Sequence, residues 1–575
     1  MKKIYSLLIS ALLVTGCTLD REPETSLADN NFWTSETFLR GACNRLYIDL
    51  PGFSHDKRSD ELVGPNQDLT SSGNRSVPGT SGDWTDPYNK IGRCNNIIIK
   101  TEASTSFSQA VKDRWTAEAR FFRAYHYFDL VKKYGDVPLI LKAFENTTDP
   151  DIVKGRDPRE TVIQQCYTDL EFAVKHLPTI EETTKETDGM QKDWGRVSQS
   201  AALGMIVRIG LYEGTHKKYH QTPGGDYRAH LKKAIDAAET MIYTEKKHDL
   251  YPDFEKLFGF DGEGSSNKEN VFVKIYGPNG SSGIVTHNNV RGLENSVALT
   301  RSMLDNFLYS DGLPREKSPL RVVPETKFSD ITANRDPRLK MTLFSPGEEA
   351  FKGPYKPFKT DDQTHGYGYA IKKGWVASEW SLNSKGTIDK MIIRYAEILL
   401  SYAEALYEYN GNISDQKLEE TVNYVRHRVG FDVKLTNAFV QANGLDMLQE
   451  IRRERMVEFI DESLHYDDII RWKTAEEVLP KAVLGLLYNY DDTEGTVKEE
   501  VVKDRLTDAN GYYKGEKVYD EGNIYVIEEA NSRSFDPKRD YLYPIPSYEI
   551  GTSGGNIKQL SLIHISEPTR HAQIS

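Results

Sequence analysis

The chain is poor in cysteine, in long apolar runs and in clustered positive charge. Only four cysteines occur among 575 residues, Cys17, Cys43, Cys94 and Cys166, and their wide spacing suits neither a disulfide framework nor a zinc-binding set. The last three are expected to be small buried side chains, with oxidation of one pair the alternative in an oxidising compartment. No run approaches the roughly 18 to 20 apolar residues that cross a bilayer. The formal charge is −13, and short basic pieces such as Lys132-Lys133 and Lys217-Lys218 read as solvated helix faces, which argues against nucleic acid as a partner. There is no His-Glu-x-x-His, Gly-x-Ser-x-Gly, Cys-x-x-Cys or phosphate-cradling loop with lysine. The common signatures of enzyme chemistry are thus missing, and no catalytic residue, metal ligand or cofactor is assigned.

What is present starts at the N-terminus. Lys2 and Lys3 precede an apolar run from Ile4 to Val14, broken only by Tyr5, Ser6 and Ser10, and Thr15-Gly16-Cys17 follows. Residues 1–16 therefore read as a secretory signal peptide. Leu13-Val14-Thr15-Gly16-Cys17 resembles a bacterial lipobox, which implies lipidation of Cys17, with palmitate among the expected chains. Each buried CH₂ contributes about 0.8 kcal/mol, so several chains anchor firmly where one does not. Residues 17–30 are polar and aperiodic and read as a tether.

Helical periodicity dominates the rest. The spacing Ala117, Phe121, Ala124, Phe128, Val131 predicts a helix over 113–134, ended by Gly135 and Pro138. Asp157-Pro158-Arg159-Glu160 predicts a capped start for the next, with Ile163, Tyr167, Leu170, Val174 and Leu177 inward. Further helices are expected from Ser198, over 228–245, 388–409 and 416–429, and as one charged helix over 446–472. Pairs recurring at roughly 30 to 45 residues suggest tetratricopeptide-like packing. The fold class is thus mostly α, a single domain over 31–559 with helical hairpins at 88–245 and 388–472. Segments 250–387 and 476–559, rich in Gly, Pro, Asn and aromatics, form an overlay of loops and small hairpins.

Five segments in order carry a family resemblance. They are Glu118-Ala119-Arg120-Phe121-Phe122-Arg123-Ala124-Tyr125 with Tyr134-Gly135-Asp136-Val137-Pro138; Asn334-Arg335-Asp336-Pro337-Arg338; Ile393-Arg394-Tyr395-Ala396-Glu397 with Ala403-Glu404-Ala405; Glu454-Arg455-Met456-Val457-Glu458 through Arg471-Trp472; and Tyr541-Leu542-Tyr543-Pro544-Ile545-Pro546. Together with the lipobox they resemble the SusD/RagB family. The resemblance implies a SusD-like fold anchored at the cell outer membrane, surface-exposed and without catalysis. It implies capture of an oligosaccharide, or of a peptide as in RagB-like members, and delivery to a SusC-like TonB-dependent transporter. The chain departs from many relatives at Leu464-His465-Tyr466, where they carry an arginine, which puts a local ion pair in doubt.

Aromatic faces stack on sugar rings, so Trp84, Trp375, Trp380, Tyr355 and Tyr367 are the ligand-binding candidates, with core packing the competing reading for each. Trp115 and Trp472 fall on helical stripes and are expected in the core or against a partner. Glu118, Glu397, Glu404, Glu454 and Glu458, set among arginines, are expected in ion pairs between helices. Asp361-Asp362 and Asp491-Asp492 lack the ligand spacing of a calcium loop and read as solvated turns. The rival from another class, a lipid-anchored α/α-toroid glycoside hydrolase or lyase, requires two carboxyls about 5 to 10 Å apart in a cleft. Residues 560–575 resemble a translated sequencing adapter and are set aside from the fold.

Overall fold

The computed structural model describes residues 32–560, apart from 145, 147, 187–190, 192, 278–285 and 359–366. Signal peptide, Cys17, tether, Asp361-Asp362 and residues 561–575 lie outside the described residues.

The first helical set is α1 (Glu36–Ile48), α2 (Gly82–Ala103), α3 (Gln109–Tyr134), α4 (Arg159–His176), α5 (Gln199–His220) and α6 (Tyr227–Glu239). In α3 the stripe Ala117, Phe121, Ala124, Phe128, Val131 is wholly inside. Its alanines admit α4 so closely that Cys166 Sγ lies 3.6 Å from the Ala124 carbonyl. Helix α5 is apolar or small nearly all round and is buried accordingly. At Gly210 a Cβ would stand 2.7 Å from the His230 carbonyl, so only glycine lets α6 pack at that depth. Cys43, Cys94 and Cys166 are all free and buried.

The start of α4 differs from its expected form. Asp157 turns away, accepting from Leu139 N at 2.7 Å and pairing with Lys154, while Asp136 from the preceding turn accepts from Arg159 N at 2.8 Å. The cap is supplied from outside the helix because Val137 and Asp157 form a two-residue bridge that commits Asp157 to that turn.

The second set is α7 (Tyr395–Asn410), α8 (Asp415–Glu420), α9 (Val422–Arg428), α10 (Met447–Glu458) and α11 (His465–Arg471). Three expectations need correction here. The helix expected from 388 starts at Tyr395; Lys390–Arg394 is a strand, β2, antiparallel to β1 (Asn270–Lys274), and Met391-Ile392-Ile393 suits that role. The helix over 416–429 breaks at Thr421, where φ −129°, ψ −88° is not helical. The single helix over 446–472 is two, because Asp461 and Ser463 take φ of 60° and 61°.

The main apolar cluster lies among the helices and includes Phe272 of β1. A second cluster underlies the overlay, where β3 (Val483–Leu487) pairs antiparallel with β4 (Ile524–Glu528). Trp115 and Trp472 are core residues, 4% and 5% exposed, with indole N–H groups donating to Glu36 and Glu404.

Between the two clusters runs a buried lattice of charge. Arg394, at the end of β2, donates to Glu269, Glu458 and Glu462 at 2.7 to 2.8 Å. Glu458 also receives Arg338 at 3.0 Å and Arg428, while Glu454 takes Arg338 and Arg426 at 2.6 and 2.7 Å. Burial alone would raise the Glu458 carboxyl, but the three guanidinium groups hold it well below the usual carboxylate range. Removing one partner of such a set strands the others without water, at a cost of about 3 to 5 kcal/mol. Glu458→Gln is therefore expected to lose stability on that scale in urea unfolding, whereas a loss under about 1 kcal/mol would show the lattice to be dispensable.

Candidate ligand cleft

A cavity of about 760 Å³ opens where segments 49–78 and 541–544 meet the first helical set. Its walls are the segment 49–58, the turn 68–78, the start of α2, one face of α3, the α10–α11 break with α11, and the C-terminal run Tyr541–Pro544. Helix α3 supplies two faces at once. The apolar stripe points inward, and Tyr125, Asp129, Lys132 and Lys133, at helical spacing on the other side, line the cleft. The C-terminal run is laid against this helix by Tyr543 N donating to the Lys133 carbonyl at 2.6 Å. Gly135, at φ +71°, makes room for Leu542 at the same point.

Rings and charges alternate along the walls. Tyr125 and Tyr543 are half-buried, while Tyr134, Tyr212, Tyr466 and Tyr541 are buried residues that also border the cavity. Lys132 pairs with Asp467 at 2.5 Å, and Lys133 with Asp83 and Asp129 at 2.8 and 3.0 Å, so the doublet read as a solvated face is cleft machinery. Burial pushes Asp56 and Asp129 upward, yet Arg58 and Lys133 override it and hold both below the usual range. A glycosidase acid requires the opposite, a carboxyl kept protonated near neutrality.

None of the five sequence candidates lines this cleft. Trp84 lies beneath it, 4% exposed, its ring against Tyr88 at 5.5 Å and edge-on to Tyr134 at 4.9 Å. Tyr355 is 1% exposed beside Phe344. Core packing therefore takes up both rings and leaves no free face for a sugar. Tyr367 is half-buried and stacked on Tyr525 at 4.2 Å, Trp375 is half-buried against Phe344, and Trp380 lies under the Arg291 guanidinium at 4.3 Å while donating to Glu294. These three belong with Tyr355 to the second cluster. Sequence reading missed Tyr125, Arg58, Arg75 and Tyr543. The alternation Tyr541-Leu542-Tyr543 before proline is the one local signal that pointed to two rings on one side of an extended run. Asp491-Asp492 lies in a turn in which Asp492 accepts from Phe328 N, and among the described residues no three His, Cys, Asp or Glu side chains converge as metal ligands would.

A family model described as the SusD family matches residues 255–561, and one described as starch-binding, associating with outer membrane, matches 63–211. The chain belongs to the SusD family. A SusD-like protein of Bacteroides ovatus is 25% identical over 95% of this chain and 96% of its own length. SusD-like protein P2 of Formosa agariphila is 26% identical over 85% of this chain and 95% of its own. A solved SusD-like carbohydrate binding protein of Bacteroides fragilis shares the fold at TM-score 0.70 and 22% identity, covering 91% of this chain and 99% of its own; surface glycan-binding protein A of Bacteroides fluxus does so at 0.57 and 19%, covering 92% and 99%. SusD-like proteins bind carbohydrate and are non-catalytic, and this chain is not an enzyme.

At the departure Leu464-His465-Tyr466, His465 forms an ion pair of its own. Its Nε2 lies 2.9 Å from Asp60, and although burial would lower it, Asp60 raises it to about 9. The neighbouring Glu61 accepts from Asp461 N at 2.8 Å and is pushed up by burial to about 8. Both groups bind protons more tightly folded than unfolded, so both contributions are full at low pH and fade as pH rises, His465's between about 6.5 and 9. The melting penalty of His465→Gln should accordingly be largest near pH 6.5 and shrink as pH passes 9; a penalty unchanged across that range would remove the charge from this account.

Proposed function

We propose that the cleft captures an oligosaccharide and that the protein, tethered to the outer membrane through acylated Cys17, presents it to a SusC-like TonB-dependent transporter. The observation that carries this reading is the cleft itself: tyrosine rings spaced among fixed charges, in a SusD-family chain whose solved neighbours include carbohydrate-binding proteins. Sugar rings offer apolar C–H faces to Tyr125 and Tyr543, and their hydroxyls find donors and acceptors in lysine, arginine and aspartate side chains already oriented by ion pairs. Preorganised partners lose little entropy on binding, which suits a site that must hold and then release its cargo. Hand-off to the transporter rests on the family resemblance and the proposed anchor.

Calorimetric titration of the purified protein against a panel of oligosaccharides and oligopeptides tests the assignment. Tyr125→Ala and Tyr543→Ala are each expected to weaken the bound oligosaccharide by about ten-fold or more, with Trp375→Ala, outside the cleft, as the control. Full affinity in both tyrosine variants, loss confined to Trp375→Ala, or binding of peptides alone would overturn it.

A further inference from the structure

The cavity can hold only part of a long glycan. Its volume of about 760 Å³ falls in the range of roughly 300 to 1,000 Å³ that encloses one drug-sized molecule, so a chain of more than a few sugar units has to run out over the rim. The mouth is marked by the lining residues that are exposed, Pro51, Ser54, Leu69, Ser76 and Asp83. Three of these five fall in one stretch, 69–83, and Gly79 and Thr80 within it are exposed as well.

The C-terminal run arrives at this part of the rim. After Tyr541 and Tyr543 in the cleft wall it passes Pro544-Ile545-Pro546 and enters a short helix, α12 (Ser547–Thr552). The first N–H groups of a helix have no acceptor inside it. Here those of Ser547 and Tyr548 donate to the Pro78 and Gly79 carbonyls, both at 3.0 Å. Ile545 before the helix and Ile557 after it are buried in the main apolar cluster, which fixes α12 to the scaffold. The Tyr548 residue so placed is 60% exposed. Three other tyrosines are exposed among the described residues, and each is engaged. Tyr424 donates to Asp249, Tyr490 donates to the Gly495 carbonyl at 3.0 Å, and Tyr512 lies under the Lys517 ammonium at 5.2 Å. The Tyr548 ring and hydroxyl make no such contact among the described residues. An uncommitted tyrosine on a fixed backbone offers an apolar face at little entropic cost, because only two torsions have to be held.

We propose that Tyr548 is an outer subsite of the glycan site, an aromatic platform at the mouth that stacks on a sugar unit of a chain too long for the cavity. The inference rests on the glycan reading above and adds a residue and a length class, the preferred ligand being an oligosaccharide that spans cavity and rim. A unit inside the cavity and a unit on Tyr548 belong to one chain. The second contact therefore forms without the cost of a second association, and it adds to the affinity of long chains alone.

The test is calorimetry of the full protein with α-1,4-glucan, β-1,4-xylan and β-1,4-galactan oligomers, each at about three and about eight units. In the series that binds, the longer oligomer is expected to bind tighter. Tyr548→Ala should weaken the longer oligomer by about three- to ten-fold and leave the shorter one unchanged, whereas Tyr548→Phe, which keeps the ring, should bind both lengths as the parent does. Both variants should melt with the parent, because the side chain is exposed and holds nothing else in place. Equal affinity for the two lengths in the parent, full affinity of Tyr548→Ala for the longer oligomer, or the same loss at both lengths would each overturn the outer subsite and leave the glycan reading intact. Binding of no oligomer at either length would overturn the glycan reading itself.

Discussion

The interaction on which the rest depends is the contact of Arg394 with Glu269, Glu458 and Glu462. These groups come from the end of β2, the residue before β1, the last residue of α10 and the break after it, so one guanidinium ties strand pair, helix and loop into a single arrangement. Arg394, Glu269 and Glu458 are withdrawn from water and Glu462 is partly so, and none can be satisfied alone. Such sets contribute little net stability compared with apolar packing, yet their geometry tolerates few alternatives. The break after Glu458 follows from the same constraint. Glu462 reaches back to Arg394 and Lys373, and the backbone turns through positive φ at Asp461 and Ser463 to let it do so.

That break is also what connects the scaffold to the cleft. Asp461 pairs with His55, and His465, at the start of α11, pairs with Asp60, so the segment 53–61 is clipped to the turn the lattice creates. This segment carries Asp56 and Arg58 into the cleft wall. The chain of cause runs from a buried arginine, through a forced helix break, to the position of a guanidinium that stacks on Tyr466. A binding wall made of loops is held in place because each loop ends on a buried charge.

Three of the five motifs that suggested the family meet in the lattice. Asp336 and Arg338, Arg394, and Glu454 and Glu458 are far apart in sequence and meet at one place, so each segment reads as a short charged motif on an apolar background. The same logic covers Glu118 with Arg196, Glu397 with Arg208, and Glu404 with Arg471, each a carboxylate on one helix answered from another element. The aromatic candidates were open to two readings for a physical reason. Tryptophan and tyrosine serve cores and binding faces equally well, and no local pattern tells a ring stacked on Tyr525 from one open to a ligand.

By itself the sequence determined the helical framework, because apolar residues at 3.6-residue spacing have one face to bury, and it determined which charges must find partners, because they stand on the buried sides of helices. The strand at Lys390–Arg394, the broken helices and the cleft were decided only by the tertiary structure. Each depends on a contact made at long range: β2 on β1, the α10 break on Arg394, the tyrosine wall on Arg58 reaching Tyr543 across 485 residues. A periodic signal reports what a segment buries, and cannot report what a distant segment will lay against its other face.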